Sequence, residues 1–133
     1  MAFFGKTYVL EKNENLEEFL TAIGVPAEIT QAALKSKPSQ IVTKDGNTYT
    51  LTIIDERGPR ELKFVSGVEF DETVVEGVVS KTNINVDGNV ITQQQKIGDR
   101  SITIKREYDG DNLVESLTTK SWDGVSRKYY KAA

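Results

Sequence analysis

The stretch RSITIKREYDG, at residues 100–110, contains the two features that decide the fold predicted for this chain: an alternating strand and the turn that ends it. Alternate side chains of a strand point to opposite faces. One face carries Ser101, Thr103, Lys105 and Glu107, and the other carries Ile102, Ile104, Arg106 and Tyr108. An Asp-Gly pair between alternating segments is among the strongest hairpin signals. Residues 100–110 therefore predict a half-buried strand that leads into a tight turn.

Turns of the same kind recur along the chain after Pro38. They are predicted at Asp45-Gly46, Arg57-Gly58-Pro59, Ser66-Gly67, Asp87-Gly88, Gly98-Asp99, Asp109-Gly110 and Asp123-Gly124. Strands spaced about every ten residues and joined by short turns form an antiparallel meander, either closed as a barrel or stacked as a sandwich.

Two helices are predicted between a first strand at residues 5–12 and this meander. Apolar residues at i, i+3, i+4 and i+7 indicate an amphipathic helix formed by Leu16, Phe19, Leu20 and Ile23. Asn13 or Asn15 can cap this helix, and Gly24 can end it. Pro26 starts a second short helix, so the two helices form a hairpin.

The strands of the predicted meander are polar for a solid core. Glutamine or threonine occurs on both faces of residues 91–95, and asparagine occurs at residues 83 and 85. A well-packed core avoids such side chains, whereas a barrel that encloses water and a ligand tolerates them. The alternative is that these strands lie at the edge of a sheet.

Arg106 is the one charged residue on the apolar face of its strand. Arginine keeps its proton, and five N–H donors without an acceptor are costly to bury. We therefore expect an anion to meet Arg106 inside the protein. Near the C-terminus, Val125, Arg127 and Tyr129 share one strand face, and Ser126, Lys128 and Tyr130 share the other.

The composition restricts the function classes. The 133 residues form one domain (residues 1–133), and the net charge of −3 argues against binding to a phosphate backbone. The chain contains no cysteine and no histidine, which removes disulfides, thiol nucleophiles, the commonest general base and the usual metal ligands. No signal peptide or membrane-spanning run is visible, so we expect a soluble cytosolic protein without metal or cofactor.

In order along the chain, these features resemble the intracellular lipid-binding proteins, and in particular insect midgut fatty-acid-binding proteins. The resemblance rests on residues 5–8 (GKTY), 15–25 (NLEEFLTAIGV), 37–38 (KP), 67–73 (GVEFDET) and 126–129 (SRKY). It implies an all-β fold, a ten-stranded antiparallel up-and-down barrel of the calycin type with a helix-turn-helix lid. It also implies a non-enzymatic, monomeric carrier of long-chain fatty acids.

The resemblance further implies that two arginines and a tyrosine hold the fatty-acid carboxylate, and Arg106, Arg127 and Tyr129 stand at those positions. The remaining predicted ligand-binding residues are Leu16, Phe19, Leu20, Ile23, Ile29, Gln93, Gln95, Ile104, Glu115 and Leu117. The apolar stripe of the first helix can serve both as core and as ligand contact, because the lid covers the cavity. Val25, Ile29, Arg57, Val74 and Val75 are the predicted portal, and the lid offers a route for transient contact with membranes.

Several positions depart from the family pattern. Leu16 replaces an aromatic residue, Tyr8 a tryptophan, and Arg57 a portal phenylalanine. Glu115 shares a face with Leu113 and Leu117, which would place it inside beside Arg106, where it could compete with the ligand. A local change of register would instead leave Glu115 in solvent.

Other functions are compatible with parts of the same sequence. A retinoid or a bile-acid-like carboxylate would satisfy the same cations. A carboxylate-based hydrolase would need two acids across a cleft, drawn from Glu69, Asp71, Glu72 and Glu107. Asp71 and Glu72 point to opposite faces, and Glu107 lies on the polar face, so surface charge is the better interpretation of all four.

Overall fold

The structure is a computed structural model that describes residues 3–75 and 77–133, with the side chains of Val74 and Val75 outside the description. The first half contains β1 (Tyr8–Glu14), α1 (Leu16–Ala22), α2 (Ala27–Lys35), β2 (Ser39–Asp45), β3 (Thr48–Asp55) and β4 (Gly58–Val65). The second half contains β5 (Phe70–Val75), β6 (Val78–Asp87), β7 (Val90–Ile97), β8 (Arg100–Asp109), β9 (Asn112–Thr119) and β10 (Trp122–Ala132).

The ten strands form one antiparallel sheet in the order β4-β3-β2-β1-β10-β9-β8-β7-β6-β5. Consecutive strands pair with each other except β4 and β5, and β1 also pairs with β10. The sheet curls into a nearly closed barrel that is open between β4 and β5, where Gly67 N donates to the Ile84 carbonyl at 2.9 Å. The predicted fold class, a ten-stranded meander with two helices after the first strand, is confirmed.

The two helices cover one end of the barrel. Asn15 enters α1 with a left-handed φ of 57°, and its side-chain amide donates to the Val125 carbonyl of β10 at 3.2 Å. After α1, Gly24 turns the chain with a φ of 81°, and the Arg100 guanidinium of β8 donates to the neighbouring Ile23 carbonyl. These contacts hold the lid to both β8 and β10. In the described part of the chain, neither helix is long or apolar enough to cross a membrane.

Two apolar clusters occupy opposite ends of the barrel. The larger closes the end remote from the helices and includes Phe3, Tyr8, Leu51, Phe64, Tyr108 and Leu113. The smaller lies under α1, where Leu16 and Phe19 pack with Leu117 and with the partly buried Ile102, Ile104 and Trp122. The polar interior described below lies between them.

β7 lies between β6 and β8, so its glutamines are not edge residues. Gln93 and Gln95 are buried, and Gln94 between them is exposed. The alternative that these polar strands lie at a sheet edge is therefore wrong, and the predicted polar interior is correct.

A bulge in β1 changes which side chains of that strand face inward. Leu10 pairs with Tyr130, but Lys12 pairs with Tyr129, so β1 has one extra residue between the two pairs. A single extra residue reverses the alternation of faces. Tyr8 and Leu10 are buried, whereas Lys12 and Glu14 lie outside against the outer face of β10.

Candidate functional site

A cavity of about 720 Å³ opens between α2 and the barrel. Its apolar wall is formed by Ile29, Ala32, Ala33, Pro38 and Ile53. Charged side chains surround the mouth, among them Asp55, which accepts from Arg57 at 3.0 Å and from Arg60 at 2.8 Å. The pKa of Asp55 is lowered mainly by the hydrogen bond from Arg57. The two arginines share this one carboxylate. Glu28, Glu56 and Lys35 also line the cavity, so the mouth has three acidic and three basic side chains.

The inner wall of the cavity is polar and comes from three strands. Gln40 of β2, Glu115 of β9, and Lys128 and Tyr130 of β10 all line it. Glu115 and Lys128 are direct cross-strand partners, so their side chains share the inner face of the sheet. Gln40 Nε2 donates to Glu115 Oε2 at 3.0 Å.

Arg106 lies behind this wall. Its Nε is 3.2 Å from Glu115 Oε2, and the two side chains are 4% and 8% exposed. The contact is an ion pair without a hydrogen bond, because the buried Nε–H has no aligned acceptor. Arg106 Nη1 donates to Gln93 Oε1 at 2.9 Å. The expectation that Arg106 faces inward and meets an anion is confirmed, and that anion is Glu115 of the same chain.

Tyr130 is a neutral hydrogen-bond donor at the cavity wall. Burial raises the pKa of its phenol, and the negative charge of Glu115 raises it further. The hydroxyl therefore keeps its proton at physiological pH. Beside Lys128, it offers a neutral and a charged donor to a ligand in the cavity.

Arg127 and Tyr129 do not face the cavity, which corrects the prediction that they converge with Arg106. Arg127 Nη1 lies 3.2 Å from Glu14 Oε1, and the Tyr129 hydroxyl donates to Glu14 Oε2 at 3.3 Å. Lys12 Nζ lies 4.7 Å from the centre of the Tyr129 ring. These four side chains form a cluster on the outer face of β1 and β10.

The register of β10 against β9 is the physical reason. Tyr130 pairs with Leu113, and Lys128 pairs with Glu115. Because Leu113 and Glu115 are buried on the inner face of β9, residues 126, 128 and 130 lie on the inner face of β10. Gln40, Lys128 and Tyr130 line the cavity and were not predicted from the sequence. A usable signal was Lys131, which gives the 125-127-129-131 face two cations and so makes it the better candidate for the solvent side.

Most of the predicted apolar ligand contacts form a closed cluster. Leu16, Phe19 and Leu117 are buried together, with Leu20, Ile23 and Ile104 packed against them. None of these six lines the cavity, whereas Ile29 and Glu115 do. In this structure the α1 stripe is core packing under the lid.

Gln93 and Gln95 belong to a polar network around Glu72. Glu72 Oε1 accepts from Thr82 at 2.9 Å, from Gln93 at 3.2 Å and from Gln95 at 3.0 Å. Glu72 is thus an interior carboxylate and not surface charge, while Asp71 is exposed and pairs with Lys81 at 2.6 Å. Through Gln93 the network reaches Arg106, so the barrel interior contains two carboxylates around one guanidinium.

The predicted portal is found in part. Ile29, 59% exposed on α2, and Arg57 in the β3–β4 turn both line the mouth of the cavity. Val25 is partly buried before α2 and does not line the mouth. The side chains of Val74 and Val75 lie outside the described residues.

Known proteins resemble the whole chain in sequence and in fold. Fatty acid-binding protein 1 of Manduca sexta is 42% identical over 132 residues, which cover 99% of this chain and 100% of that protein. The crystal structure of a fatty-acid-binding protein from Manduca sexta has a TM-score of 0.91 at 41% identity, covering 98% of this chain and 99% of that chain.

A more distant structure contains a lipid. A Schistosoma mansoni fatty acid binding protein in complex with arachidonic acid has a TM-score of 0.91 at 25% identity, with 99% of this chain and 96% of that chain covered. No family model matches the chain. The full-length identity to the insect proteins and the shared barrel nevertheless show that this chain belongs to the fatty-acid-binding protein family.

Proposed function

We propose that this protein binds long-chain fatty acids in its internal cavity and carries them unchanged within the cell, with the ligand carboxylate held by Lys128, Tyr130 and Gln40. The observation that carries this proposal is the cavity itself, with an apolar wall near its mouth and donor side chains at its inner end. This division matches a ligand that is a chain with one polar head group.

The two parts of the cavity contribute differently to binding. Burial of roughly 15 methylene groups at about 0.8 kcal/mol each gives on the order of 12 kcal/mol before costs. Association entropy removes several kcal/mol of this, which leaves roughly micromolar to nanomolar affinity. The chain therefore supplies most of the affinity, and the donors select the head group and fix its orientation.

Lys128 is the cation best placed to meet the ligand. It lines the cavity, whereas Arg106 is 3% exposed behind Glu115 and Arg127 lies on the outer face. The Lys128 ammonium and the Tyr130 phenol can both donate to a carboxylate, and together they carry one positive charge. Gln40 lines the same cavity from β2, which is separated from β10 by β1, and its amide group can donate a second hydrogen bond beside the one to Glu115.

The carboxylate site is tested by comparing variants of two adjacent residues of β10. Lys128→Gln and Arg127→Gln each remove one positive charge from β10, but from opposite faces. Isothermal titration with palmitate should show about tenfold or greater weakening for Lys128→Gln, because a charged hydrogen bond is lost, and little change for Arg127→Gln. Equal affinities in both variants would refute the carboxylate site.

The carrier function has its own test. Native mass spectrometry of the purified protein should show a bound acyl chain, and solvent extraction should return an intact fatty acid. Conversion of added palmitate to another product during incubation would instead indicate an enzyme.

A further inference from the structure

Glu115 is the feature of the cavity that fatty-acid binding alone does not explain. Its carboxylate is 8% exposed and lines the same cavity wall as Lys128. A fixed negative charge beside the proposed carboxylate site repels an anionic ligand, and burying it is costly unless it is paired. Its position therefore needs a physical reason.

The pairing of Glu115 shows what it does in the interior. Its Oε2 lies 3.2 Å from Arg106 Nε and accepts from Gln40 at 3.0 Å. The other side of the Arg106 guanidinium donates to Gln93, whose amide donates to Glu72 at 3.2 Å. The positive charge of Arg106 is thus already offset by carboxylates of the chain itself.

Lys128 differs from Arg106 in this respect. Within the described ranges, no carboxylate oxygen lies within 4.0 Å of its ammonium group, although Glu115 is its cross-strand partner. Glu72 does not line the cavity and is held by Thr82, Gln93 and Gln95. Of the charged side chains on the inner wall, Glu115 is paired with Arg106, and Lys128 has no paired carboxylate. One negative charge on a ligand can pair with Lys128, and a second would lie next to Glu115.

We infer that Glu115 is a specificity-determining residue: by occupying Arg106 as a built-in carboxylate, it restricts the cavity to acyl ligands whose head group has a single negative charge. Dianionic head groups of the alkyl phosphate class are excluded by the same charge. This inference rests on the proposed function, because it assumes that the head group reaches the inner wall.

The experiment uses two ligands with the same chain and different charge. Palmitate has one negative charge, and hexadecyl phosphate has nearly two above pH 8, since the second phosphate pKa is about 6. Calorimetric titration at pH 8.5 should show that the unmodified protein binds palmitate at least about tenfold more tightly. Glu115→Gln should reduce that preference by about tenfold or more, because Arg106 is freed for a second anionic oxygen.

The double variant Arg106→Gln/Glu115→Gln is the matched control. It removes both charges of the pair and leaves the net charge of the interior unchanged, so it should keep the preference for palmitate over hexadecyl phosphate. Loss of palmitate binding in the double variant would show that Arg106 holds the ligand, and would overturn the inference.

The outcomes separate the two proposals. If the unmodified protein binds neither ligand, the proposed function fails. If it binds palmitate and hexadecyl phosphate equally well, or if Glu115→Gln changes both affinities by the same factor, only the role of Glu115 fails. The comparison in the unmodified protein needs no variant to fold.

Discussion

Arg106 Nε lies 3.2 Å from Glu115 Oε2 inside the barrel, and neither side chain is more than 8% exposed. The two residues are direct partners on β8 and β9. Attraction between them offsets part of the cost of removing both charges from water. The pair therefore makes each residue depend on the other for stability.

The first prediction is a test of this dependence by unfolding. Arg106→Met and Glu115→Leu should each lower the free energy of unfolding by about 3 kcal/mol, because each leaves an unpaired buried charge. The double variant should be close to the unmodified protein, since apolar side chains replace the whole pair. Urea titration measures all four proteins, and strictly additive losses would show that the two charges do not interact.

The second prediction concerns head-group preference after the loss of Arg106. Arg106→Gln should weaken binding of palmitate more than binding of hexadecanol, because Glu115 then remains as an uncompensated negative charge at the cavity wall. A fluorescent-probe displacement titration with both ligands gives the ratio. Equal weakening of the acid and the alcohol would mean that Arg106 affects the cavity through packing alone.

The fold was predictable because its local signals agree with one another. Asp-Gly turns separate alternating segments such as residues 100–109, and the period changes to that of a helix at residues 16–23, before Pro26 starts the second helix. The predicted turn at Asp123-Gly124 is the exception, because both residues lie inside β10. The inward position of Arg106 follows from the same alternation, because a register error of one residue would also expose Ile102 and Ile104. Neither the fold class nor the inward position of Arg106 required knowledge of which distant strands pair.

The site was less predictable because the sequence of β10 is ambiguous. Each face of the strand contains one cation and one tyrosine, Arg127 with Tyr129 or Lys128 with Tyr130. Only the pairing with Glu115 on β9 and the bulge in β1 decide which pair lies inside. The residues of β1 and β10 that pair are more than a hundred positions apart in the sequence. A local sequence pattern does not show such a pairing.

The third prediction concerns the start of β10, where Gly124 lies against the ring of Trp122. A methyl group at Gly124 would lie 2.6 Å from Trp122 Cε2 and 2.7 Å from Cη2, so Gly124→Ala must displace the ring. We expect a loss of about 1–3 kcal/mol of stability. Trp122 is the only tryptophan of the sequence, and its ring centre lies 6.0 Å from that of Phe19 in the lid. Displacement of the ring changes its surroundings, so the fluorescence spectrum of the variant should shift.

Gly110→Ala is the control for this third prediction. Gly110 has a positive φ of 60° but nothing within 4 Å of the added methyl group. This variant should lose stability through backbone strain while the Trp122 emission stays unchanged. An unchanged spectrum in Gly124→Ala would contradict the close contact between the glycine and the ring.

The fourth prediction is a loss of stability in alkali that depends on buried tyrosines. Burial raises the pKa of Tyr130 and of Tyr108 above the ordinary value of 10.0. In the unfolded chain both phenols ionise near pH 10, whereas in the folded protein they stay neutral to higher pH. The stability they contribute is therefore fully present below about pH 10 and is lost as the pH rises from there toward the folded-state pKa.

Urea unfolding of the unmodified protein and of Tyr108→Phe, Tyr130→Phe and the double variant, at pH 8 and again at pH 11, tests this linkage. The variants lack the ionisable phenols, so the fall in stability between the two pH values should be smaller in each single variant and smallest in the double variant. Lysines titrate in the same range and contribute a background common to all four proteins. If all four lose the same stability, the phenols are not the linked groups.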